Sequence, residues 1–234
     1  VTDQRTAGLL LHGAGTDGRS ALRLLTSALP AGTEPLALPH GGDVADLVDA
    51  IDRAAGTVER SGLELVTVAG LSVGAHAVAA WAARRADASP LPELVLVMPA
   101  WTGAPDRIAG LTAASADEIE HDGVPAILAR LVDEAAGDWV VDELVRSWAG
   151  ADPAALAASL RTAAGGHAPT LEELATIDAR TAVVALADDP LHPVAVAEAW
   201  ARAIPGARLA IVPRDAPSTD RGALGRAARA ALDA

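Results

Sequence analysis

The chain has 234 residues, 51% of them apolar, with 31 acidic against 18 basic side chains and a formal charge of −13. At about 150 residues per domain, this length favours one domain with a substantial core, or one domain carrying a sizeable insertion. Aromatic side chains make up only 2%, all of them Trp, and the chain has no Phe, Tyr, Cys, Lys or Asn. A thiolate nucleophile, a disulfide, a Cys-ligated metal, a lysine Schiff base and a tyrosine acid are therefore all excluded. Phe, Tyr, Asn and Lys share AT-rich codons, so a GC-rich genome accounts for most of this bias. The acidity disfavours nucleic acid and anionic membrane surfaces as partners. No apolar run reaches the length of a membrane span, and residues 1–6 lack the basic-then-apolar order of a leader, so a soluble cytoplasmic protein is expected.

Short, continuous apolar runs alternate with helical spacing, as expected of strands buried on both faces of a parallel sheet. A strand over Ala7 to Leu11 ends at His12-Gly13, and a helix over Gly18 to Leu29 stops at Pro30. A short strand, Pro35 to Leu38, precedes His40-Gly41-Gly42. Asp43 then reads as the N-cap of a helix to about Arg60 that carries Val44, Leu47, Val48 and Ile51 on one face. Leu63 to Ala69 is a strand, Val73 to Arg85 a helix, and Leu94 to Met98 a strand closed by Pro99. From Trp101 to about Ala179 the strand signal gives way to helices punctuated by Gly and Pro. Alternation then returns with strand Ala182 to Leu186, helix Val194 to Ala203, strand Arg208 to Val212 and helix Thr219 to Leu232. The pattern predicts a doubly wound α/β fold of about six parallel strands with helices on both faces. Residues 1–100 and 180–234 form its core and residues 101–179 a helical cap insertion. Its ligand site is expected at the carboxyl ends of the strands.

Gly70-Leu71-Ser72-Val73-Gly74 lies between a buried strand and a helix. Small residues flank Ser72 because larger ones would clash in so sharp a turn, which leaves the hydroxyl projecting above the sheet. Leu11-His12-Gly13-Ala14-Gly15 leaves the first strand as a Gly-rich loop. Its backbone can approach a developing oxyanion, making the Ala14 and Val73 N–H groups candidate donors. As a phosphate cradle the same loop would lack the spacing and the Lys of a P-loop.

With these motifs in this order the chain resembles the α/β-hydrolase superfamily over nearly its whole length; the resemblance starts at what would be that family's third strand, and the leading hairpin is expected to be absent. The resemblance implies a Ser72 nucleophile and an acid in Ala187-Asp188-Asp189-Pro190-Leu191-His192-Pro193, with Asp189 favoured over Asp188. The family's base is a His in the loop after the last strand. Here that loop, Val212 to Asp220, has no His, and no His follows His192 anywhere. Three readings compete. In the first the base has moved: the resemblance implies that the residue three past the acid lies near the nucleophile, which here is His192, with Asp189 expected to be badly placed to orient it. Against this, His192 could simply fill space or cap the next helix. In the second the scaffold performs non-hydrolytic chemistry as a lyase, dehydratase or cyclase, and in the third it is a ligand-binding pseudoenzyme.

Of the other histidines, His76 is expected to pack beneath the elbow and His12 to tie its own loop. His40, after the second strand, is expected at the catalytic edge as a weaker base candidate, and His121 and His167 are expected to be solvated in or beside the cap. His12, Gly13, His40 and Trp101 are the expected pocket residues. Trp139 and Trp148 read as cap-core residues, and Trp81 and Trp200 as packing residues. No metal or cofactor is expected. The partner is a small, partly apolar ester, lactone or ketone, and no oligomeric state is assigned.

Overall fold

A computed structural model describes residues 5–39, 42–85, 90–135 and 137–234. Among them six strands form one all-parallel sheet: β1 (Thr6–Leu11), β2 (Glu34–Ala37), β3 (Glu64–Leu71), β4 (Glu93–Val97), β5 (Thr181–Leu186) and β6 (Arg208–Val212). Their order is β2-β1-β3-β4-β5-β6. The chain leaves β1 toward one edge to make β2, then returns to β1's other side as β3, so the winding reverses between β1 and β3. In such a sheet the crevice at the carboxyl ends of these two strands is where ligands bind.

Continuous apolar runs serve both faces because successive side chains point oppositely. Leu9, Leu11, Val68, Leu94, Leu96 and Val183 join one core cluster, and their neighbours Leu10, Ala69, Val95, Val97 and Val184 join another. Helices α2 (Val44–Arg60), α3 (Val73–Ala83) and α9 (Val194–Ala203) cover the first face through Leu47, Ile51, Trp81 and Trp200. Helices α1 (Gly18–Leu25) and α11 (Ala223–Asp233) cover the second through Leu24, Leu25, Leu224 and Ala228. Asp43 caps α2 as its sequence predicts, in a reciprocal capping box with Asp46.

Between β4 and β5 run α4 (Arg107–Asp122), α5 (Val124–Glu134), α6 (Trp139–Trp148), α7 (Pro153–Gly165) and the short α8 (Leu171–Leu174). Helices α4 and α7 lie against each other, and Ala116, Ile119, Ile127, Trp148, Ala157 and Leu160 give this segment its own apolar cluster.

Two predicted helices differ in their bounds. The first stops at Leu25 and tightens into a 3₁₀ turn over Thr26–Ala28, where the Thr26 hydroxyl donates to the Leu22 carbonyl. The last begins later than predicted, at Ala223 as α11 (Ala223–Asp233): its predicted first residue, Thr219, instead closes a separate short helix, α10 (Ala216–Thr219), and the Asp220 carboxylate accepts the Gly222 N–H and holds an extended backbone between the two.

Candidate active site

Ser72 sits between β3 and α3 at φ 55°, ψ −117°, a region that non-glycine residues rarely adopt and that costs about 1–3 kcal/mol. The surroundings enforce it. The Ser72 N–H extends the β3–β4 ladder by donating to the Val97 carbonyl at 2.8 Å, while its own carbonyl accepts from Ala75 and His76 in the first turn of α3. A Cβ at Gly70 would overlap the Gly74 carbonyl, and one at Gly74 would lie 2.7 Å from the His12 carbonyl oxygen. Both small residues are thus required by close backbone approach. Gly13 is similarly tight, since a Cβ there would stand 3.1 Å from that of Ser72.

The loop after β5 brings the other partners. Asp188 takes a left-handed conformation at φ 57°, one that Asp tolerates better than most residues. Asp189 follows, and its Oδ1 accepts the N–H of Leu191 at 2.9 Å and of His192 at 3.3 Å. Its Oδ2 lies 2.9 Å from Nδ1 of His192, whose Nε2 lies 3.0 Å from the Ser72 hydroxyl oxygen. The Asp189 and His192 side chains are only 7% and 15% exposed, so water competes little for these bonds. Burial opposes ionisation of Asp189, but the hydrogen bond and charge of His192, the Leu191 amide and the Arg214 guanidinium outweigh it and hold the carboxyl below its ordinary range. An anionic Asp189 accepts the Nδ1 proton, leaving the Nε2 lone pair to face the Ser72 O–H. His192 does not cap α9, whose N-cap is Pro193 and carries no side-chain cap bond.

The remaining histidines separate cleanly. His76 is fully buried, accepts the Ala100 N–H on Nε2 at 3.0 Å and stands edge-on to Trp101, with ring centroids 4.7 Å apart. Burial first, then the nearby His192, pushes its pKa down to about 3. With Nε2 already occupied it has no lone pair to offer Ser72. His12 was expected to line the pocket but does not: its ring is buried behind the loop, with Nδ1 2.9 Å from the Gly13 carbonyl. Burial lowers its pKa, only partly offset by that bond and by Asp17. His121 and His167 are exposed, and His40 lies outside the described residues.

A cavity of about 320 Å³ opens over Ser72 and His192, with Gly13, Ala14 and Val73 among its lining. Val73 is the first residue of α3, where N–H groups have no intrahelical acceptor. Among the described residues, neither its amide nor that of Ala14 donates to a backbone carbonyl in a loop or cap. Trp101 lines the cavity, and so do Trp139 and Trp148. Of these two only Trp148 belongs to the helical segment's own cluster; Trp139 joins the core beneath the sheet and its indole N–H donates to the Arg214 carbonyl at 3.0 Å. Most of the wall is aliphatic or indole, including Leu111, Ile127 and Leu144.

Glu143 also borders the cavity and carried no sequence signal beyond its place in an amphipathic helix. Its carboxylate is 2% exposed and engaged by the Ser20 hydroxyl at 2.8 Å, Arg146 at 2.6 Å and Arg23. Burial opposes its ionisation, but these bonds outweigh it and lower its pKa. Its bonds tie α6 to α1. A larger hollow of about 670 Å³ beside the start of α2 is lined by Asp43, Arg84, His167 and Glu172 and contains none of Ser72, Asp189 and His192. Among the described residues no group of three or more His, Asp or Glu side chains is placed to hold a metal ion, and no helix is long and apolar enough to cross a membrane.

No protein-family model matches the chain, and no curated protein sequence matches it. Solved structures do. An enol-lactonase from Burkholderia xenovorans is 18% identical with a TM-score of 0.69, over 89% of this chain and 83% of that one. A thermophilic esterase from Thermogutta terrifontis is 18% identical with a TM-score of 0.66, over 97% and 86%. An acetylester hydrolase from Corynebacterium glutamicum is 15% identical with a TM-score of 0.68, over 100% and 87%. The likeness shows that this chain has the α/β-hydrolase fold.

Proposed function

We propose that the protein is a serine hydrolase of small, partly apolar carboxylic esters or lactones, with Ser72 as nucleophile, His192 as base and Asp189 as its orienting acid. The observation that carries this reading is the unbroken chain from Asp189 Oδ2 through the imidazole to Ser72 Oγ, at 2.9 and 3.0 Å. The 2.9 Å contact between Asp189 Oδ2 and His192 Nδ1 supports Asp189 as the orienting acid although it lies only three residues away.

His192 Nε2 takes the Ser72 proton as Oγ bonds to the substrate carbonyl carbon, and the resulting imidazolium stays paired with Asp189. The carbonyl oxygen becomes anionic against the Ala14 and Val73 N–H groups, which are the oxyanion donors of this reading. Collapse breaks the bond to the leaving oxygen, which receives the proton from Nε2. Water then attacks the acyl-serine by the same proton path in reverse, releasing the acid and regenerating Ser72. The helical segment 101–179 acts as the cap, and its indole and aliphatic wall suits an apolar acyl or alcohol group. The scheme uses no metal, cofactor or nucleic acid. The lyase and pseudoenzyme readings drew their motive from the missing His after β6, and a base supplied by His192 removes that motive.

The test is turnover of p-nitrophenyl butyrate. Ser72→Ala and His192→Ala should each lower kcat by about 10³-fold or more. Activity that survives either change at near its original rate overturns the reading.

A further inference from the structure

We propose that Trp148, at the end of α6, is a positioning residue for the oxyanion loop, so that the helical segment sets catalytic geometry as well as covering the pocket. The inference rests on the serine-hydrolase reading above. The loop Gly13 to Thr16 is partly self-tied: the Thr16 hydroxyl accepts the Gly13 N–H at 3.1 Å and donates to the Gly13 carbonyl at 3.0 Å. Those bonds fix its two ends and leave the Ala14–Gly15 peptides to be held from elsewhere. The Trp148 indole N–H supplies that hold by donating to the Gly15 carbonyl at 2.6 Å, a buried bond between residues far apart in sequence. Gly15 is in the left-handed region at φ 71°, and a Cβ there would stand 3.3 Å from the indole nitrogen and 3.4 Å from Leu160. Ala14, which carries the candidate N–H, packs both against the sheet-side core and against the cluster of the helical segment that contains Trp148.

The clamp itself is anchored. At the other end of α6 the Trp139 indole donates to the Arg214 carbonyl, and between them Glu143 holds Ser20 and Arg23 of α1. Helix α6 is therefore bonded to the core along its length, and the indole of Trp148 presents a fixed donor to the loop. An oxyanion donor acts only when it points where charge develops, and small misplacements cost rate steeply.

Trp148→Phe keeps most of the ring area but removes the donor. For p-nitrophenyl butyrate, kcat should fall about tenfold with KM within about twofold of its original value, because the loss falls on the transition state. The inhibition constant of an alkyl boronic acid, whose adduct with serine imitates the tetrahedral oxyanion, should weaken in parallel, while the melting temperature falls by roughly 2–10 °C for the unsatisfied Gly15 carbonyl. Should the Phe variant fail to fold, β-(3-benzothienyl)alanine at position 148 keeps the shape of indole without its N–H and gives the same readout. An active, phosphonate-labelled protein whose donor-free variant keeps kcat and boronate affinity overturns this inference alone. Absence of both turnover and labelling in the unaltered protein overturns the hydrolase reading and this inference with it.

Discussion

Replacing Asp189 by Asn changes one atom, and the structure determines which way the new amide must face. Oδ1 accepts two backbone N–H groups, from Leu191 and His192, while Oδ2 faces His192 Nδ1. In Asp189→Asn the side-chain oxygen has to keep the two amide donors, which turns its NH₂ toward Nδ1. Nδ1 must then accept, the imidazole proton moves to Nε2, and Nε2 can no longer take the Ser72 proton. The flipped amide would restore the productive tautomer but sacrifices two hydrogen bonds worth about 1 kcal/mol each and sets NH₂ against two N–H groups. A cost of about 2–3 kcal/mol leaves roughly one molecule in a hundred productive. Loss of the correct tautomer lowers kcat by up to about 10⁴-fold in related triads, so kcat on p-nitrophenyl butyrate should fall between about 10² and 10⁴-fold. The melting temperature should move little. Asp188→Asn, whose residue tolerates the same left-handed backbone, should stay within about twofold. An Asp189→Asn enzyme that retains more than about a tenth of its kcat, or a larger loss at Asp188, would refute the assignment of acid and base.

Two further outcomes follow from strain and burial. Ser72 holds φ 55°, so Ser72→Gly, which lacks the hydroxyl but relaxes the backbone, should melt about 2–4 °C above Ser72→Ala, corresponding to about 1 kcal/mol of relieved strain; a Gly variant less stable than the Ala variant contradicts this. His76 has a folded pKa of about 3 against the ordinary 6.5, so the folded state binds fewer protons between those values. Its contribution to stability is whole above pH 6.5 and is lost as pH falls toward 3, amounting to roughly 3 kcal/mol by pH 4.5. Urea unfolding at pH 7 and pH 4.5 should show this loss in the unaltered protein and a much smaller one in His76→Gln; parallel losses in both would refute it. The depressed pKa of Asp189 acts at lower pH, where its contribution is lost as pH falls through its folded value, and it affects both proteins alike.

The sheet was legible because its strands are doubly buried: unbroken runs such as Leu94 to Val97 and Ala182 to Leu186 can hardly be anything else between Gly- and Pro-bounded helices. Ser72 was legible because Gly70 and Gly74 mark backbone contacts too close for any Cβ. His192 stood out through the family resemblance, which puts the residue three past the acid near the nucleophile, and the absence of Lys, Tyr and Cys and of any later His narrowed the alternatives. What the sequence does not display is how Asp189 reaches it: the left-handed turn at Asp188 folds the acid's two oxygens onto one backbone pair and one imidazole, a tertiary arrangement with only a weak local signal. The Trp148 bond to Gly15 and the buried Glu143 were equally hidden, because each joins segments more than a hundred residues apart.

The central claim is that His192 activates Ser72, and a fluorophosphonate reads that activation directly, since it reacts with a serine whose proton is being withdrawn. Intact-mass and peptide analysis should find one adduct, on Ser72, formed at a rate that falls at least about 10²-fold in His192→Gln. No adduct on Ser72, or one that forms equally fast without His192, would contradict the account.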